Sequence, residues 1–216
     1  MTRLVCLANS KRPHGRCVAG IDLDTGRWLR PVPVEHDAVP EERLWLSGTF
    51  LAPLDVIELE LAPISPTPRF QRENHVVRDW NWARRGRLKA TELLRYVEEH
   101  APIFHGSEDR VPPYVLDFLP PAEWKSLQLV RPRGLTLERD PAGPHRWRAR
   151  FRDRDNHKYC FRVTDPVITR RMESGEKIAD DCLLTIALTK PYIPPDTTAA
   201  PRCYKLVAAV IELAFG

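Results

Sequence analysis

The chain has 216 residues, enough for one large or two small domains, and its 43% hydrophobic and 29% charged residues exclude a disordered polymer. A net charge of +4 permits a polyanionic partner without requiring one, so the distribution of charge has to decide. No apolar run approaches membrane-spanning length and the stretch from Leu4 to Ala8 is too short for a secretory leader, so a cytoplasmic protein without membrane contact is expected.

Twenty-one prolines against ten glycines suit a loop-rich β architecture with little helix, because proline removes a ladder donor and belongs at edges and turns. Arginine outnumbers lysine by about four to one, which fits bidentate phosphate recognition and fits a GC-rich codon bias equally well. Five cysteines (Cys6, Cys17, Cys160, Cys182 and Cys203), odd in number and widely spaced, read as free thiols, mostly buried, in a reducing compartment.

From the N-terminus, the apolar run Leu4-Val5-Cys6-Leu7-Ala8 breaks into Asn9-Ser10-Lys11-Arg12-Pro13-His14-Gly15-Arg16 and re-enters as Cys17-Val18-Ala19-Gly20-Ile21. This pattern is a β-hairpin around a basic, hydrogen-bonding loop, and its donors suit phosphates or base edges. Strands are expected near 3–8, 16–23, 27–34 and 54–61, with Asp24-Thr25-Gly26 as a tight turn. A proline-rich connection, 63–68, leads to a further strand starting within 71–77. Residues 88–99 change period, with Leu88, Leu93, Leu94 and Val97 on one face and Pro102 beyond, and this predicts the one clear helix.

The segment 103–125, broken by Pro112-Pro113 and Pro120-Pro121, fits a domain junction. Strands then resume near 126–130, 135–139, 146–152, 157–164, 182–189 and 203–213. The last of these is apolar on both faces, as a covered central strand would be. The expected fold is mainly β: two consecutive OB-like small β-barrels, with one short α-helix between or beside them, divided as 1–120 and 121–216. SH3-like and PUA-like barrels have compatible strand counts.

Three segments, Cys6-Leu7-Ala8-Asn9-Ser10-Lys11, Cys17-Val18-Ala19-Gly20 and Trp28-Leu29-Arg30-Pro31-Val32, together with Gln71, Glu73, Asn74, Val163-Thr164-Asp165-Pro166 and Cys203-Tyr204-Lys205-Leu206-Val207-Ala208, resemble the bacterial dual-OB-fold family over essentially the whole chain. The resemblance implies two OB-like barrels and a role in binding nucleic acid or nucleotide, within bacterial defence or conflict systems. It brings no established catalytic residues with it.

The candidate binding residues are Asn9, Ser10, Lys11, Arg12, Arg16, Arg30, Gln71, Glu73, Asn74, Thr164, Asp165, Tyr204 and Lys205. Lys11 and Arg12 supply charge, Asn9 and Ser10 directional bonds, and Gln71, Glu73 and Asn74 the mixed donors and acceptors that read a base or ribose. Tyr204 beside Lys205 is the aromatic and cation pair used on single strands. Each has a plainer role: a solvated basic turn, an outward Arg30 on an alternating strand, amides bonding backbone at a strand entry, Asp165 capping the following turn, and Tyr204 packed between barrels.

Two further stretches combine aromatics with cations. Trp80-Asn81-Trp82 precedes Arg84-Arg85 and Arg87, which suits either base stacking or anchoring of a loop on the core. Arg146-Trp147-Arg148-Ala149-Arg150-Phe151-Arg152 alternates strictly, and its arginines either track a phosphate backbone or face carboxylates such as Glu138 and Asp140. Cys6, His14 and Cys17 lack short metal-ligand spacing, and no nucleophile elbow, Walker loop or metalloprotease helix appears. No metal, cofactor or catalytic set is expected.

The leading expectation is a binding module for RNA, single-stranded DNA or a nucleotide, without chemistry of its own. The alternatives are an enzyme acting on nucleotides or nucleic acid, with Asn9, Lys11, Glu73, Asn74 and Asp165 in one cleft, and an adaptor whose exposed aromatics dock a protein partner.

Overall fold

The computed structural model describes the chain except for residues 35–37, 64–67, 100–101, 142, 144, 195–197 and 214–216. Most of the expected connection at 63–68 therefore lies outside the described residues. The first unit contains β1 (Thr2–Arg12), β2 (Gly15–Asp22), β3 (Trp28–Val32), β4 (Trp45–Leu46), β5 (Thr49–Phe50), β6 (Asp55–Leu59), β7 (Leu61–Pro63), β8 (Asn74–Val77) and β9 (Ala83–Arg87). Seven of these form one sheet in the order β7-β8-β3-β2-β1-β6-β9, and β4 and β5 pair separately. Alternation explains β6, where Asp55, Ile57 and Leu59 are buried and Val56 and Glu58 are half-buried.

The second unit contains β10 (Arg110–Val111), α1 (Pro113–Asp117), β11 (Leu127–Val130), β12 (Arg133–Arg139), β13 (Trp147–Arg152), β14 (Lys158–Val163), α2 (Pro166–Glu173), β15 (Cys182–Leu188) and β16 (Cys203–Glu212). Its sheet runs β11-β15-β16-β14-β13-β12, with β10 added on β16. The doubly apolar β16 is central, as its sequence requires. Both sheets curl into half-barrels, giving the mainly β dual OB fold. Ile103, Phe104, Val111 and Leu116 pack into the second core, as does Phe70 from before β8.

Helix differs from expectation. Residues 90–96 form a 3-10 run rather than an α-helix, with Leu93 buried and Leu94 exposed. Leu88, Val97 and Tyr96 lie half-buried along the shared core, so the segment is held by packing against the sheets and not by an intrahelical ladder. The α-helices are the short α1 and α2, each with proline in its first turn, where a missing N–H costs nothing. No described helix is long and apolar enough to cross a membrane.

The two units share a core along a seam between β1 and β16. Val5, Leu7 and Ile21 from the first pack with Leu129, Leu183, Ala209 and Ile211 from the second. Beside them Ala8, Ala19 and Ala208 meet around Leu127, small side chains that let the backbones approach. A β-bulge between Cys6 and Ala8 breaks the β1–β2 register, and the carbonyl of Leu7 accepts from Thr185 Oγ1 at 2.7 Å. Gly20 fits only as glycine, since a Cβ there would lie 1.9 Å from the Val5 carbonyl oxygen.

A shared seam predicts that both units unfold in one transition. Ala208→Leu, which forces extra carbon between β1 and β16, is expected to lower stability to urea by about 1–3 kcal/mol. Two separated transitions, or an unmoved midpoint in the variant, would contradict this packing.

Candidate nucleic-acid interface

The β1–β2 hairpin closes through Pro13-His14, with Arg12 opposite Gly15. His14 has φ 64° and Gly15 φ 146°, and a Cβ on Gly15 would meet the Val39 carbonyl at 2.3 Å, so the turn requires glycine. Lys11 is exposed and Arg12 half-buried. The Lys11 backbone N–H donates to the Thr164 carbonyl at 3.3 Å, which sets the basic tip against the end of β14. Asn9 and Ser10 are buried instead, and Asn9 Nδ2 donates to the Leu51 carbonyl at 2.7 Å. Arg16 Nε donates to Glu41 Oε1 at 2.8 Å, and its guanidinium lies 5.5 Å over Phe50.

Arg30 is not an outward strand residue. It is 4% exposed, because β3 pairs in parallel with β8 and sets Arg30 opposite Asn74 beneath the second unit. Its Nη1 donates to Asn74 Oδ1 at 3.0 Å and its Nη2 to Ser126 Oγ at 2.9 Å. Glu73 completes an ion pair with Arg30 at 3.2 Å and accepts from the Ser126 hydroxyl. Asn74 Nδ2 donates to Gln71 Oε1 at 3.3 Å, and Gln71 Nε2 reaches the Leu188 carbonyl at 3.2 Å. The polar residues read as base contacts thus tie the first unit to β15 and to the entry of β11.

Asp165 caps α2. Its Oδ1 accepts from the N–H groups of Val167 at 2.9 Å and Ile168 at 3.1 Å, and its Oδ2 from Val210 N–H at 3.1 Å. Burial raises its pKa, against the pull of these bonds. Thr164 Oγ1 donates to the Val207 carbonyl at 3.3 Å. Lys205 is 1% exposed and its Nζ donates to the carbonyls of Ile103 at 2.8 Å and Gly106 at 2.6 Å, over the Phe161 ring. Tyr204 meets Tyr192 edge-on at 6.2 Å. Asn74 and Lys205 thus direct their side-chain bonds to different partners, Arg30 and Gln71 for the first and the Ile103 and Gly106 carbonyls for the second.

The strictly alternating segment behaves differently. Trp147, Ala149 and Phe151 enter the second core, which turns Arg148, Arg150 and Arg152 to the opposite face. Register adds cations from both neighbours: Arg148 faces Arg162, Arg152 faces Lys158 on β14, and Arg152 faces Arg133 on β12. Carboxylates balance part of this face, Glu138 on Arg150 at 2.5 Å and Asp109 and Asp140 on Arg148 at 3.1 and 3.7 Å. Among the described residues, Arg146, Arg152, Lys158 and Arg162 have no carboxylate within 4.0 Å. Burial, then the like charges of Arg146 and Arg148, lower the pKa of Arg162 against the opposing pull of Asp140 and Tyr192.

Trp82 is buried in the first core with Trp80 against it, so that motif anchors its loop. Asp55, fully buried, holds Arg84 at 2.6 Å and Arg87 at 2.9 Å, and Arg85 pairs with Glu58 at 2.7 Å. A cleft of about 460 Å³ between 97–99, 130–133 and 153–154 contains none of the candidate binding residues, and its Glu98, Glu99, Arg131 and Arg154 are engaged in ion pairs. Among the described residues no group of three or more His, Cys, Asp or Glu side chains is placed to hold a metal.

Two outcomes follow from the buried cations. Arg30→Met, which strands Glu73 in the seam, is expected to cost about 3–5 kcal/mol in urea unfolding, and the double variant Arg30→Met with Glu73→Leu to recover much of it; a double variant no better than the single would refute the pairing. Burial lowers the Lys205 pKa to about 8 from 10.5, so between those values the unfolded chain holds the proton more tightly than the folded one. Stability relative to Lys205→Met should rise with pH across that window, and a flat difference would contradict it.

The chain is also similar to the crystal structure of the tetrameric p202 HIN2, with a TM-score of 0.30 and 11% identity over 95% of this chain and 85% of that one, values too low to carry an argument. No curated protein matches the chain. The model of the dual OB-containing domain matches residues 2–210. With two sheets curled into half-barrels over that same span, the chain belongs to the dual OB-containing domain family.

Proposed function

We propose that this protein binds nucleic acid, RNA or single-stranded DNA, on the outer face of its second sheet together with the tip of the β1–β2 hairpin. One observation carries the reading: cations stand directly opposite one another across three strands, Arg148 to Arg162 and Arg133 to Arg152 to Lys158. Like charges directly opposite on a sheet destabilise it. The arrangement is poor for stability and well suited to a ligand that brings regularly spaced negative charge.

The hairpin supports a polymer rather than a mononucleotide. The bond from Lys11 to Thr164 sets Lys11 and Arg12 beside the end of β14, where Arg162 and, one strand away, Arg146 continue the array. Tyr192 lies within electrostatic reach of Arg162 and meets Tyr204 edge-on. Arg30, Gln71, Glu73 and Asn74 contribute by holding the two units in register, Asn9 by bonding Leu51 within the first unit, Asp165 by capping α2 within the second, and Lys205 by fixing the 103–106 loop on the second core.

The test is the double substitution Arg146→Gln with Arg162→Gln, measured against a mixed-sequence single-stranded oligonucleotide over a range of salt. Affinity is expected to fall, and the slope of log K against log salt to shrink by about 0.7 for each phosphate of the single strand that the variant no longer neutralises. Folding stability should be unchanged or raised, since like-charge repulsion is relieved. Affinity and slope equal to those of the unaltered protein would overturn the assignment.

A further inference from the structure

The first unit carries an aromatic feature that neither its core nor the second-sheet face absorbs. β4 and β5 form a hairpin joined by Ser47-Gly48, both with positive φ, 50° and 79°, the two-residue turn that matches strand twist. Leu46 pairs with Thr49 and Trp45 with Phe50. Leu46 is buried in the first core beside Leu44 and Leu51, and strand alternation then turns Trp45 outward, 61% exposed. Phe50 meets the indole edge-on, with ring centroids 5.4 Å apart and planes at 67°, so the hairpin braces a large aromatic without covering it.

Three arginines lie around this hairpin. The Arg16 guanidinium lies over Phe50 at 5.5 Å. Arg43, two residues before Trp45, lies over Trp80 at 5.5 Å, with no carboxylate in ion-pair range among the described residues. Arg84 donates to Thr49 Oγ1 at 2.6 Å beside the hairpin turn. Two of the three are paired with carboxylates, Arg16 with Glu41 and Arg84 with the buried Asp55, which leaves Arg43 as the cation whose charge is open. Phe50 and Trp80 hold the Arg16 and Arg43 guanidinium groups in place beside the hairpin.

We propose that Trp45 is a stacking platform for one unpaired base, with Arg43, two residues before it, as the phosphate partner, so that the ligand is single-stranded rather than duplex. This rests on the nucleic-acid reading above and narrows it. Base faces inside a duplex are covered by their neighbours, whereas an unpaired base presents a π-face to an exposed aromatic. A flanking cation selects a base attached to phosphates over an apolar protein segment. Arg16 stands on the same hairpin as Lys11, so one strand leaving Trp45 meets the basic tip before it reaches the second sheet.

Binding is measured with the full chain and three probes: a short oligothymidine, the same oligonucleotide with its bases removed, and a blunt duplex of equal length. Trp45→Ala is expected to weaken oligothymidine binding by about 5- to 150-fold, Trp45→Phe to retain most of it, and neither to change affinity for the abasic strand or the duplex. Unaltered thermal unfolding checks that the hairpin is intact. Oligothymidine affinity unchanged in Trp45→Ala, or an equal loss on the duplex, overturns the platform. If Arg146→Gln with Arg162→Gln still weakens binding in that case, the second-sheet reading survives alone. Failure of the unaltered protein to bind any of the probes sinks both.

Discussion

The close approach of β1 to β16 is the constraint on which the rest of the molecule depends. Two curled sheets can share a core only where their backbones come near, and Ala8, Ala19 and Ala208 supply that space. Approach on this scale covers polar backbone, which must be satisfied from within the protein. Thr185 answers the carbonyl freed at the β1 bulge, and Arg30, Asn74, Gln71, Glu73 and Ser126 form a linked set at the flank of the same seam. A buried ion pair of this kind adds little net stability, but removing either partner strands the other charge in the seam.

That constraint divides the polar residues between two roles. Side chains inside the seam are buried and bond to one another and to the other unit, so a ligand would have to part the units to reach them. Side chains on the outer face of the second sheet are in the opposite situation, since Arg146, Arg152, Lys158 and Arg162 lack carboxylate partners among the described residues. The hairpin tip joins the regions physically: its base carries the buried Asn9 and Ser10, and its end carries the exposed Lys11.

Strand positions were legible in the sequence because alternation and apolar runs act locally. The pattern around 147–151 gives both the core face and the arginine face of β13, and the doubly apolar 206–211 segment gives a central strand. Helix was less legible. The leucines of 88–99 have helical spacing, yet the segment lies along a shared core as a 3-10 run, and the turn that Asp165 was expected to cap is the first turn of α2. The burial of Arg30 was invisible because it depends on parallel pairing with a strand more than forty residues away. Lys158, Arg162 and Arg133 could not be joined to the arginine stripe without the cross-strand register, and Trp45 gave no signal of its exposure because that follows from a two-residue turn.

The most direct measurement of this division is a nuclear magnetic resonance titration of the arginine Nε–H groups with a single-stranded oligonucleotide. Shifts are expected at Arg146, Arg152 and Arg162 while the Arg30 signal stays still, its guanidinium held by Asn74, Ser126 and Glu73. Shifts centred on Arg30 with a silent outer face would contradict it, and would mean that the seam opens to take the ligand.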